Sequence, residues 1–122
     1  MPYEFEVKEE DRYLLLVVSG EVETIEDMRA FSKALVECAE EKGYKRLILD
    51  QRLVSRKLDL HDYMVYADQW RLERPPSGIK IAAVYSQEDV NNFQWVETIC
   101  QNRSIIYRIF SNSDEAERWL AC

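Results

Sequence analysis

Three short apolar runs govern what this chain can fold into. Leu47-Ile48-Leu49, Ile79 to Tyr85 and Ile105 to Phe110 have the length of buried strands. Each is followed, after a few polar residues, by a stretch that reads as a helix. A strand, a helix and a further strand in the same sheet make a parallel pair joined by a right-handed crossover. Two more strand signals precede the first helix. Tyr3, Phe5 and Val7 alternate with Glu4, Glu6 and Lys8, and Tyr13 to Val18 is almost continuously apolar. The polar link Glu9-Glu10-Asp11-Arg12 between them is short enough to dictate an antiparallel hairpin. The expected order is ββαβαβαβα, an α/β fold with a mixed, mostly parallel sheet led by an antiparallel hairpin. No repeat or linker divides it, so residues 1–122 form one domain.

Local signals place the helices. Thr24 and Asp27 have capping-box spacing, and Gly43 supplies the C-terminal stop of the first helix. Ile25, Met28, Phe31, Leu35, Cys38 and Ala39 form its expected buried stripe. The second helix runs from Asp59 or Leu60 to Leu72, with Leu60, Tyr63, Met64, Ala67 and Trp70 expected in the core and Pro75-Pro76-Ser77-Gly78 as its stop. Ser86 with Asp89 opens a third helix over Gln87 to Asn102, its stripe being Val90, Phe93, Val96 and Cys100. Ser113-Asp114-Glu115 opens a terminal helix that turns Ala116, Trp119 and Leu120 inward. Val65, Tyr66 and Trp95 are the apolar residues expected nearer the surface.

Composition removes several function classes. With 47% hydrophobic and 32% charged residues, the chain reads as a globular domain that buries roughly two thirds of its unfolded surface. A net charge of −7 repels a nucleic-acid backbone, so no nucleic-acid partner is expected. Cys38, Cys100 and Cys122 are scattered and odd in number, which fits two small core residues and one free thiol rather than a disulfide framework. Together with the single histidine they offer no metal-ligand spacing. The glycine-rich cradles for dinucleotides and for nucleotide phosphates are both absent, as is GxSxG, so no cofactor is expected. The acidic, alternating start does not resemble a signal peptide, and no apolar run approaches the ~20 residues of an integral membrane segment. The expectation is a cytoplasmic protein.

The candidate site lies where the strand at Leu47–Leu49 gives way to what reads as a polar, basic loop, since binding in α/β domains concentrates at the carboxyl ends of strands. Arg52, Arg56 and Lys57 put three cations within six residues. They either hold a small anion beside the amino end of the next helix or balance Asp59 and Asp62 in solvent. His61 is the one histidine; with Asp59 or Asp62 it is the sole base available to an enzyme acting on a small anionic substrate, and its plainer reading is a surface or capping residue. Tyr85 and Ser86 leave the neighbouring strand on the same rim, Ser86 already having a capping role. Glu4, Glu6, Lys8, Arg46 and Arg108 alternate with apolar residues, which suggests an incompletely covered sheet face suited to a second copy, and hence a structural homodimer as a third reading.

Several phrases in order resemble the STAS domain, of sulfate transporters and anti-sigma factor antagonists, and specifically its SpoIIAA-like branch. They are Leu47-Ile48-Leu49-Asp50, then Leu58-Asp59 at a helix start, Ile79-Lys80-Ile81-Ala82-Ala83-Val84, Asn102-Arg103, and the ending from Arg108-Ile109-Phe110 through Ser113-Asp114-Glu115 to Trp119-Leu120. The resemblance spans essentially the whole chain. It implies a SpoIIAA-like βα superhelix and a non-catalytic regulatory module that binds a protein partner or a small anionic ligand on the rim of residues 51–62 and 85–92. It also implies where a phosphorylated serine stands in the antagonists, in Asp-Ser-Ser-Gly at a helix start. Here the place reads Asp59-Leu60-His61-Asp62, which has no hydroxyl, and Ser55 lies outside the motif. The serine phosphoswitch is therefore not implied.

Overall fold

The alternation of strand-length and helical-period segments is realised along the chain. The computed structural model describes residues 3–73, 78–102 and 105–121, without the side chains of 3 and 69–73. Trp70 as a core side chain, the Pro75-Pro76 stop, Arg103 and Cys122 fall outside the described residues. The elements are β1 (Tyr3–Glu9), β2 (Leu14–Val22), α1 (Ile25–Lys42), β3 (Arg46–Arg56), α2 (Leu60–Glu73), β4 (Lys80–Val84), α3 (Gln87–Phe93), α4 (Trp95–Gln101), β5 (Ile106–Phe110) and α5 (Ser113–Ala121). The strands lie in chain order, β1-β2-β3-β4-β5. β1 and β2 are antiparallel, with Glu9 opposite Leu14, and the remaining pairs are parallel.

Strand alternation divides the core in two. Leu14, Leu16, Val18, Leu47, Leu49, Ile81 and Ala83 point to the inner face, where Phe31, Leu35 and Ala39 of α1, Tyr63 and Ala67 of α2, and Val96 and Ile99 of α4 close over them. Ile48, Ala82 and Val84 point to the outer face and meet Ala116 and Leu120 of α5. The small Ala82 leaves room for that helix. Beyond α5, the outer face over β1 and β2 presents exposed Glu4, Glu6 and Lys8 beside half-buried Leu15 and Val17. Among the described residues no helix is long and apolar enough to cross a membrane.

The helix ends form as their sequences dictate. Thr24 Oγ1 accepts the Asp27 N–H at 3.1 Å, and Asp27 Oδ2 accepts the Thr24 N–H at 3.3 Å, a complete capping box. Gly43 closes α1 in the left-handed region at φ 77°, where a side chain would be strained. Asp59 and Asp62 exchange the same reciprocal bonds at the start of α2, at 2.9 and 3.1 Å.

Three expectations are corrected. The segment after Leu49 is not a loop: β3 continues to Arg56, because Ser19–Val22 of β2 pair with Leu53–Arg56. The third helix is divided at Gln94, where the Glu97 N–H bonds the Gln94 carbonyl three residues back at 3.2 Å and the Trp95 indole N–H donates to the Asn92 carbonyl at 2.8 Å. α2 is also rotated from its expected setting, since Tyr63 and Ala67 are buried while Leu60 and Met64 face outward.

One tie spans almost the whole chain. The Tyr13 hydroxyl, at the start of β2, donates to Glu117 Oε1 of α5 at 2.5 Å. That hydrogen bond, with some burial, raises the Tyr13 hydroxyl from 10.0 to about 12. A tyrosine whose folded value is raised stabilises the fold fully below its unfolded value and loses that contribution as pH climbs through the folded one. The stability difference between wild type and Tyr13→Phe should therefore be constant up to about pH 10. It should then shrink towards zero by about pH 12, as urea unfolding midpoints at stepped pH will report.

Candidate functional site

A bulge in β3 decides which side chains reach the interior. From Val17 to Ser19 on β2 the pairing advances two residues, while on β3 it advances from Asp50 to Leu53, three residues. The extra residue reverses the in–out phase of everything that follows. Gln51 faces the inner core before the step, and Val54 and Arg56 face it after. Leu53 and Ser55 are turned to the surface. Asp50 settles the step locally: its Oδ1 accepts the Arg52 N–H at 3.3 Å, and the carboxylate accepts the Arg52 guanidinium in a fork at 2.9 and 2.7 Å. That bond holds the Asp50 carboxyl below the usual aspartate range.

The three basic residues consequently leave in three directions. Arg52 is held by Asp50. Lys57 pairs with Glu23 at 3.0 Å on the surface. Arg56 turns inward, its side chain only 2% exposed. Its guanidinium donates to Gln51 Oε1 and, at 3.0 Å, to Asp89 Oδ2. It also lies 3.8 Å above the centre of the Tyr85 ring and 5.8 Å from that of Phe93. Burial works against the guanidinium charge, but the surrounding tyrosines and Asp89 outweigh it and raise its pKa. No single anion site collects Arg52, Arg56 and Lys57.

The other candidates are placed as follows. Asp59 caps α2, and the Asp62 N–H lowers its carboxyl below the usual range. His61 is exposed in the first turn of α2, and Ser55 is exposed near the end of β3. Ser86 caps α3, accepting the Asp89 N–H at 3.2 Å. That cap orients the residue whose carboxylate meets Arg56. Tyr85 is buried beneath Arg56, its hydroxyl 2.7 Å from that of Tyr107. Among the described residues no group of three or more histidines, cysteines and carboxylates is placed to hold a metal.

Gln51, Tyr63, Asp89 and Tyr107 complete this largely buried polar cluster; Gln51 and Asp89 lie within the expected rim without being named as site residues, and Tyr63 and Tyr107 lie outside it. Tyr63 is 4% exposed, stands edge-on to Trp95 at 5.3 Å between centroids, and its hydroxyl is buried without a hydrogen-bond partner. Burial raises its pKa; the Arg56 guanidinium, close to the hydroxyl oxygen though not in hydrogen-bond geometry with it, only partly opposes this, and the O–H donor itself has no acceptor. Leaving such a group unsatisfied costs about 1–3 kcal/mol. The one sequence signal that touched the cluster was the capping spacing of Ser86 and Asp89; Gln51, Tyr63 and Tyr107 lie in separate elements and carried none in common.

Removing the charge at the centre should be costly. Arg56→Ala leaves Gln51 and Asp89 without their donor and should lower unfolding stability by about 3 kcal/mol. Arg56→Lys keeps the charge without the planar fork and should recover only part of that. Denaturant titration of the two variants beside wild type measures both.

No family model matches the sequence, and none of the curated proteins does. Solved structures do match. An anti-sigma factor antagonist from Mycobacterium paratuberculosis superposes with a TM-score of 0.65 at 11% identity, over 98% of this chain and 95% of that one. An uncharacterised protein from Shewanella loihica with a SpoIIAA-like fold superposes with a TM-score of 0.58 at 16% identity, over 97% and 93%. With the five-stranded sheet and hairpin lead described above, these matches give the chain the fold of a STAS/SpoIIAA-like domain.

Proposed function

We propose that this protein is a non-catalytic binding module that recognises a protein partner through apolar side chains at the carboxyl end of β3 and the start of α2, without a serine phosphoswitch. The observation that carries this reading is the exposure of large apolar residues there: Leu53 is 71% exposed, Leu60 50% and Met64 41%. Leu60 and Met64 are one helical turn apart on the outward side of α2. Apolar side chains in solvent gain most when a partner covers them. A small anion is the weaker choice of ligand, because Arg52, Arg56 and Lys57 each already face a carboxylate. An anti-sigma factor antagonist among the structural neighbours agrees with a protein partner.

By the resemblance to the antagonists, Leu60 or His61 stands where their Asp-Ser-Ser-Gly has its serine, and Leu60 is the apolar one of the two. A leucine there has no phosphate acceptor and adds apolar contact area, so partner binding would be governed by supply of the partner rather than by phosphorylation. Affinity capture from native extract provides the test, using the full chain and two variants. Leu60→Asp should reduce recovery of the wild-type partner more than about tenfold, as expected for a charge placed in the centre of an apolar contact. Arg52→Ala should leave recovery unchanged. Equal recovery with Leu60→Asp, or loss with Arg52→Ala alone, would overturn the assignment.

A further inference from the structure

A second recognition site lies inside the domain, away from the rim. Between the inner sheet face and α1, α2 and α4 there is a cavity of about 70 Å³. Its walls are mainly hydrocarbon, with Phe31, Leu35, Val96 and Ile99 among them. Partly exposed Met28, Tyr66 and Ile105 line it towards the surface and give a route inward. Most of the polar groups around it are engaged with one another. Ser32 bonds Tyr66, Tyr85 bonds Tyr107, and Arg56 bonds Gln51 and Asp89. Among the described residues one buried side-chain polar atom is left over, the hydroxyl of Tyr63, which also lines the cavity.

This combination selects its occupant. One water takes about 10–15 Å³ of such space and needs two to four polar partners. The cavity is several waters large and its walls are mainly hydrocarbon, so much of any water filling it would face apolar side chains rather than hydrogen-bond partners. A compact hydrocarbon body with one acceptor satisfies both the walls and Tyr63. The acceptor is neutral, because Asp89 already balances Arg56 and a carboxylate would bring an uncompensated charge into the interior. We propose that this cavity binds a small neutral carbonyl compound of the ketone class, its oxygen accepting a hydrogen bond from Tyr63. The site goes beyond the rim contact and uses none of Leu53, Leu60 or Met64, so either can fail without the other.

The test uses the full chain, cyclohexanone as probe, and methylenecyclohexane as a hydrocarbon of nearly the same shape. Methyl NMR titration should show saturable shifts at Leu35, Val96 and Ile99 with the ketone. The ketone should bind about fivefold or more tighter than the hydrocarbon, the margin of one hydrogen bond. Tyr63→Phe should abolish that margin and leave the hydrocarbon's affinity unchanged. The variant keeps the ring and removes only an unpartnered hydroxyl, so its melting temperature should equal or exceed that of wild type. The proposal is overturned if neither probe saturates, if both bind wild type equally, or if cyclohexanecarboxylate binds tighter than the ketone. The wild-type comparisons decide the matter whether or not the variant folds.

Discussion

A guanidinium taken out of water must be met by charge and hydrogen-bond acceptors, and this requirement ties the parts of the domain together. Arg56 stays in the interior because four residues from three elements supply what it needs. Gln51 comes from β3, the Tyr85 ring from the end of β4, and Asp89 and Phe93 from α3. None of these groups would suffice alone, since the desolvation cost of one buried charge is several kcal/mol. The geometry of α3 is equally involved, because the Ser86 cap fixes the turn on which Asp89 sits. The bulge stands upstream of all of it. Without the extra residue between Asp50 and Leu53, Arg56 would be out of phase with the inner face.

Those dependences explain which parts of the structure the sequence revealed. The order of elements along the chain, the hairpin, the Thr24 and Ser86 caps and the Gly43 stop were legible because each depends on period or on short-range spacing. The bulge was not legible. It has no composition of its own, and Gln51 to Leu58, polar and basic, looks like a loop until pairing with Ser19–Val22 is known. The setting of α2 was ambiguous for another reason. Leu60, Tyr63, Met64, Val65, Tyr66 and Ala67 are apolar or aromatic nearly all the way round, so spacing permits more than one buried stripe. Packing against Trp95 and the bond from Tyr66 to Ser32 settle which stripe goes in. The basic residues of the site were identified, but their separation was not, because it follows from the same unseen bulge.

The electrostatics of the rim follow from an acidic chain finding partners for few cations. With 23 acids against 16 bases, a lysine or arginine on this surface has a carboxylate within reach more often than the reverse. Asp50 takes Arg52, Glu23 takes Lys57, and Asp89 takes Arg56. What the rim then offers is leucine and methionine side chains rather than open positive charge. Charge neutralisation and apolar exposure are here two results of one arrangement.

The strand order carries a kinetic consequence. Because spatial and chain order coincide, each strand pairs with the one made just before it, and no strand has to be inserted between two that are already joined. Parallel sheets are ordinarily slow to form, as their contacts close long loops before any bond rewards the closure. Here each parallel closure spans one helix, or the consecutive α3 and α4 between β4 and β5, so the sheet can grow from the hairpin at a single advancing edge. The contact that breaks this pattern is α5 returning to β3 and β4, with Glu117 reaching Tyr13. Folding of this kind would proceed as elongation followed by one long-range latch, and the outer face would be the last surface to leave water.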